Sequence, residues 1–106
     1  MNKKFHVEYN PEFFDDLVLS VDWYNEQRSG LGDRFFKNVK KQTAKLSTLA
    51  LCFAVRYSDI RCMLIEKFPY LVHYRVDVQN KTVKVEALFH TSRDPKIWNE
   101  RTKAAI

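Results

Sequence analysis

Two stretches late in the chain, "YLVHYRVDV" at residues 70–78 and "TVKVEALF" at residues 82–89, alternate apolar with polar positions at the period of a β-strand. Antiparallel pairing around a turn at Gln79 and Asn80 sets Val76 against Val83, Tyr74 against Val85, Val72 against Ala87 and Tyr70 against Phe89. One face of this hairpin is then wholly apolar or aromatic. The same register places Arg75 across from Lys84, His73 across from Glu86 and Leu71 across from Leu88, a mixed and partly charged face. A third strand, about Ile60–Glu66, precedes them across Pro69, and an irregular stretch around "LALCFAVRYSD" leads into it. A sheet with one apolar face needs a layer to cover it.

The upstream half supplies that layer. "KFHVEY" alternates Phe5, Val7 and Tyr9 against His6 and Glu8 as a further strand, and Asn10–Pro11 then reads as a helix cap followed by its first residue. A helix from Pro11 to about Arg28 has Phe14, Leu17, Val18, Val21 and Tyr24 at helical spacing, with Asp15, Asp16, Asp22 and Glu26 on the other side. Both glycines of the chain fall in "RSGLGDRF", where one helix must end and the next begin. "SGLG" lacks the lysine and the strand-to-helix setting of a P-loop, so it reads as a hairpin corner. The second helix, Leu31 to about Ser47, turns Phe35, Phe36, Val39 and Leu46 inward. Arg34, Lys37, Lys40, Lys41 and Lys45 decorate its flank, as a solvated face or a contact for phosphate or an acidic chain. Asp94–Pro95 repeats the cap-plus-proline signal and opens a short helix to about Lys103, with Trp98 placed to plug it onto the sheet.

The expected fold class is α+β, with element order β-α-α-β-β-β and a short C-terminal helix, an antiparallel sheet covered on one face by a helical hairpin. A chain of 106 residues holds one such domain, residues 1–106. With 18 Lys and Arg against 13 Asp and Glu, its net charge of +5 draws an acidic partner, nucleic acid or protein. "MNKKFHVEYN" has no apolar signal-peptide core, so a cytoplasmic setting with Cys52 and Cys62 as buried structural thiols is expected. Their spacing forms no zinc signature, and no run is apolar enough to span a membrane. Neither metal nor cofactor is expected.

Three stretches in this order carry a family resemblance: "VDWYNEQRSGLGDRF" at 21–35, "EKFPYLVHYRV" at 66–76 and "LFHTSRDPKIW" at 88–98. They resemble the RelE/ParE toxin superfamily of bacterial toxin–antitoxin modules, and within it the ParE or plasmid-stabilisation branch. The resemblance implies a compact toxin neutralised by a cognate antitoxin whose flexible segment wraps it, as a homodimer or a heterotetramer with the antitoxin. In the ParE branch the implied target is DNA gyrase, poisoned so that cleaved DNA accumulates, and the toxin is no catalyst. In the RelE branch the toxin is an endoribonuclease that cuts messenger RNA in the ribosomal A site.

Cleavage of RNA through the neighbouring 2′-hydroxyl needs a base, cationic donors for the crowded phosphate and an acid for the leaving oxygen. His73 and Glu86 are the acid–base candidates, Arg75 and Lys84 can hold phosphate, and His90 or Arg93 can complete the set. In a binding toxin, Arg75, Lys84, His90 and Arg93 are partner contacts instead. His90 is otherwise a surface histidine, Arg93 a salt-bridge partner, and Trp23 and Tyr24 packing residues. The chain departs from the ribonuclease branch in two places. Leu71 stands where those members commonly carry a phosphate-binding arginine, and "RTKAAI" lacks their closing tyrosine or histidine–tyrosine pair. The favoured expectation is a gyrase-poisoning toxin, with the ribosome-dependent ribonuclease as the alternative and an inactive, binding-only member as a third.

Overall fold

The computed structural model describes residues 4–102. Strand β1 (His6–Tyr9) leads to α1 (Pro11–Gln27), α2 (Leu31–Ala44) and the single turn α3 (Leu46–Leu49). Strands β2 (Val55–Tyr57), β3 (Ile60–Leu64), β4 (Tyr70–Asp77) and β5 (Thr82–His90) follow, and α4 (Pro95–Thr102) closes the described chain. The sheet has five strands in the order β1-β5-β4-β3-β2; β1 runs parallel to β5 and the other pairs are antiparallel. The α+β class and the helical hairpin are as expected. The three-residue β2 lay inside the stretch read as irregular, and the expected end of the last helix at Lys103 lies outside the described residues.

Local chemistry explains the boundaries. Asn10 Oδ1 accepts the Glu12 amide at 3.0 Å and Pro11 takes the first helical position, so α1 starts where an orphan amide is capped and another is absent. Gly30, at φ +87°, turns the chain into α2 through the left-handed region. Gly32 serves differently: a Cβ there would lie 2.1 Å from the Val21 carbonyl oxygen, so the missing side chain lets α2 abut α1. Its amide donates to Asn25 Oδ1 at 2.7 Å.

The buried stripe of α1 is Phe13, Leu17, Ser20 and Tyr24, rotated by one residue from the expected one. Phe14 and Val18 are therefore exposed, at 48% and 57%, and Phe36 on α2 joins them at 42%. Phe35, Val39 and Leu46 are buried as expected. Downstream, α2 pins the β3–β4 turn: Gln42 Nε2 donates to the Leu64 carbonyl at 3.0 Å, Gln42 Oε1 accepts the Glu66 amide at 2.6 Å, and Asn38 Nδ2 donates to the Glu66 carbonyl at 3.1 Å.

The hairpin register holds for Val76–Val83, Arg75–Lys84 and Tyr74–Val85, then slips. His73 pairs with Ala87 rather than Glu86, so Glu86 is an extra residue in β5, a β-bulge. Beyond it Val72 pairs with Leu88, Leu71 with Phe89 and Tyr70 with His90. Because successive strand residues point to opposite faces, the slip moves Ala87 and Phe89 off the helix-covered face and brings Leu88 onto it. The face expected to stay open is consequently a second core of Ile60, Cys62, Leu71, Ala87, Phe89 and Trp98, roofed by α4. Trp98 is the plug foreseen for it, 7% exposed. Cys62 is buried as expected, but Cys52 is exposed in the 3₁₀ turn Ala50–Cys52.

The two glycines should respond unequally to alanine. Gly32→Ala must push α1 and α2 apart and should cost at least about 2 kcal/mol. Gly30→Ala meets open space and should cost only about 1 kcal/mol, the left-handed backbone penalty. Urea denaturation of both variants checks the ordering.

Candidate functional site

Five of the six ribonuclease candidates separate into two groups, and Lys84 is the sixth. His73, Arg75 and Glu86 come together on the α4 side of the sheet, while His90 and Arg93 sit at the far end of β5 and just beyond it. The first group is close in space yet engaged in holding the fold.

Arg75 spends its guanidinium on three separate elements. Its Nε donates to Glu86 Oε2 at 3.1 Å, one Nη to the Asp59 carboxylate in the β2–β3 turn, and the other to the Thr102 carbonyl at the end of α4. Glu86 in turn accepts Asn10 Nδ2 at 3.0 Å on its other oxygen. The bulge residue therefore ties β4, β5 and the entrance of α1 together, and its carboxylate is buried. With a hydrogen bond on each oxygen, this carboxylate is turned into the fold rather than toward a substrate.

His73 is fully buried. Tyr57 Oη lies 3.0 Å from its Nδ1, Cys62 Sγ 3.5 Å from the same nitrogen, and the Trp98 and Phe89 rings pack edge-on at 4.9 and 5.1 Å. Among the described residues its Nε2 meets no partner. Burial, reinforced by the charges of Arg56 and Arg101, pulls its pKa down from 6.5 to about 4. Burial likewise pushes the Cys62 thiol up to about 11, so this cysteine is an inert thiol. His73 is thus a neutral core histidine.

Two residues that sequence reasoning missed hold α4 down at its other margin. Arg101 grips Asp16 with both terminal nitrogens, at 3.1 and 2.8 Å, and its Nε lies 3.7 Å from Glu12. Hydrogen bonding to Asp16 raises the pKa of Arg101 further. Asp16 also accepts the Leu88 amide at 3.0 Å, which caps β5 where β1 has ended and left its edge open. The signal was available: Asp16 borders the true buried stripe of α1, and Arg101 follows Trp98 by three residues on one side of a helix.

His90 and Arg93 remain accessible. The Ser92 amide donates to His90 Nδ1 at 3.0 Å, which assigns the proton of the neutral ring to Nε2. The Arg93 guanidinium lies 5.4 Å from the centroid of Phe89. Together they line a cleft of 250 Å³ with Trp23, Tyr70 and Asp16. Tyr24 is buried as expected, whereas Trp23 is 53% exposed and forms one wall of this cleft. Lys84 is exposed beside its cross-strand partner Arg75, on an open surface that Glu8 and Asp59 also line.

A five-stranded sheet carrying a helical hairpin on one face and a single closing helix on the other is the fold of the RelE/ParE toxins. The model of the ParE toxin of type II toxin–antitoxin systems, parDE, matches residues 7–95, and the chain belongs to that family. A chain of the chromosomal ParDE system of Pseudomonas aeruginosa superposes with a TM-score of 0.74 at 16% identity, covering 85% of this chain and 99% of that one. A mutant of the Escherichia coli toxin RelE in the free state superposes at 0.69 and 12% identity, covering 97% and 99%. At these identities the likeness is one of fold. Among curated protein sequences none matches significantly.

The depressed pKa of His73 makes a pH prediction. The unfolded chain takes up this proton near pH 6.5 and the folded chain resists until about pH 4, so between them the unfolded state holds more protons. The stabilisation is complete above pH 6.5 and is lost as pH falls towards 4, by about 2 kcal/mol at pH 5. His73→Leu should flatten that part of the stability profile in chemical denaturation across pH 4–7, and a slope that survives the substitution would assign it to another group.

Proposed function

We propose that this protein is the toxin of a type II toxin–antitoxin module that acts by binding DNA gyrase and stabilising cleaved DNA, and not by cutting RNA. The observation that carries the reading is the state of His73, Arg75 and Glu86. His73 and Glu86, the acid–base pair that cleavage would draw from the sheet face, are buried, and the guanidinium of Arg75 is engaged by Glu86, Asp59 and the Thr102 carbonyl. A ribonuclease needs those groups facing substrate; a binding toxin does not.

A cognate antitoxin fits an exposed feature of the helical layer. Phe14 and Phe36, with Tyr9, Phe13, Leu17 and Val39, line an almost wholly apolar cleft of 240 Å³ between α1 and α2, and exposed Val18 lies one turn further along α1. Clustered apolar side chains on a small domain mark a protein contact, and the similar Pseudomonas chain belongs to a two-component ParDE system.

The ribonuclease reading retains one supporting observation. His90, Arg93 and Trp23 share an accessible cleft, offering a proton-transfer group, a cation and an aromatic surface.

With toxin released from its purified antitoxin complex, gyrase-dependent DNA breaks and no translation-dependent mRNA cuts are expected when both are assayed in parallel. RNA cuts that disappear in His90→Ala and Arg93→Ala variants would overturn the proposal, and silence in both assays would favour an inactive, binding-only member. Val18→Asp combined with Phe36→Asp, both at exposed positions, should weaken antitoxin binding at least about tenfold in calorimetry without unfolding the toxin.

A further inference from the structure

Apart from Lys40, which borders the apolar cleft between α1 and α2, the basic flank of α2 has no part in the contacts described so far, and the fold gives it a shape that the sequence did not. At the hairpin corner, Arg28 from the end of α1, Arg34 and Lys37 from α2, and Lys67 from the β3–β4 turn line one cleft of 500 Å³. All four are exposed, and among the described residues none lies within ion-pair distance of a carboxylate. That includes Asp33 and Glu66, their acidic neighbours in sequence. The charge continues out of the cleft, because Lys41 and Lys45 follow Arg34 and Lys37 on the same side of the helix and its extension. From Arg34 to Lys45 the stripe runs about 16 Å at the helical rise.

We propose that this cleft and stripe bind the phosphate backbone of duplex DNA. Unpaired cations in a row match a polyanion of regular charge spacing, and B-form DNA carries one negative charge per about 1.7 Å of its axis. The floor of the cleft bears on the choice between backbone and bases. Phe68 lies there, but its ring packs edge-on against Phe35 at 4.9 Å and Tyr24 at 5.1 Å within the aromatic core, and is not presented as a stacking platform for a splayed base. The contact is therefore electrostatic and independent of sequence. Phosphate chemistry is common to DNA and RNA, and the choice of DNA rests on the gyrase reading above, in which the toxin stabilises cleaved DNA.

The test uses the released full-length toxin, a fluorescently labelled mixed-sequence DNA duplex and no gyrase, with anisotropy followed over a range of salt. Six phosphate contacts predict an affinity that falls about 1,800-fold between 50 and 200 mM salt, and Arg34→Gln with Lys37→Gln should reduce that to about 150-fold while weakening binding at low salt. Lys96→Gln, exposed on α4 across the sheet, should leave both unchanged. Absence of binding, or a double variant that binds like the parent, overturns the proposal. So does preferential binding of polyglutamate, which would make the cleft a dock for an acidic protein segment, or of an RNA duplex about tenfold more tightly than DNA. Failure here with gyrase poisoning intact removes the DNA contact alone, whereas salt-dependent DNA binding by a toxin that does not poison gyrase removes the target and leaves the cleft.

Discussion

Glu86 is one residue more than β5 needs to pair with β4, and most of the molecule's second half follows from that surplus. A regular hairpin would have kept Val72, Tyr74, Ala87 and Phe89 together under the helices and left His73 facing water. The bulge reverses the far half of β5. Phe89 and Ala87 become the floor of a second core, Leu88 replaces them in the first, and His73 is buried among aromatic rings. The sheet thereby becomes apolar on both faces at its centre, and each face needs its own cover. The cost of the bulge is an unpaired strand residue, and Glu86 offsets it by joining Arg75 and Asn10 through the same carboxylate.

An eight-residue helix is a slight roof for such a face, since isolated helices of that length are unstable in water. What holds α4 is therefore tertiary. Trp98 supplies most of the apolar burial, Arg75 takes the carbonyl of Thr102, and Arg101 reaches over the edge of β5 to Asp16. Ion pairs of this partly buried sort add little net stability, because desolvation offsets much of the attraction, but breaking one leaves a charge unpaired. Their contribution is to position: α4 can lie across the sheet in one place only, where Trp98 meets His73 and Tyr57.

What could be read from residues alone was set by how local each signal is. Asn10–Pro11 and Asp94–Pro95 are contained within two residues, and both open helices. The α1–α2 corner was legible because only glycine suits a left-handed turn or a backbone approach as close as that of Gly32 to Val21. The bulge was not, since "KVEALF" reads equally well in either register and only three-dimensional packing chooses. In α1 the adjacent pair Phe13–Phe14 fits two stripes one residue apart, and which ring is buried depends on where the sheet lies. Strand β2 has three residues, too few for a period. The surroundings of the candidate residues were hidden for the same reason as the register: His73, Arg75 and Glu86 were grouped on one side, but nothing within the strands announces that α4 buries His73.

That cover bears on chemistry through Leu71. The family resemblance sets Leu71 at about the place where ribonuclease members commonly carry an arginine. In the fold Leu71 pairs with Phe89 and belongs to the buried core beneath α4. A guanidinium there would need water or a carboxylate that this apolar cluster does not contain, and uncompensated burial of a charge costs several kcal/mol. The leucine is thus part of what permits Trp98 to seat and α4 to close. The same packing that stabilises the roof also encloses His73 among its aromatic rings. Exposed cations are left to the edges of that packing, at Arg93, at Lys84 and along α2.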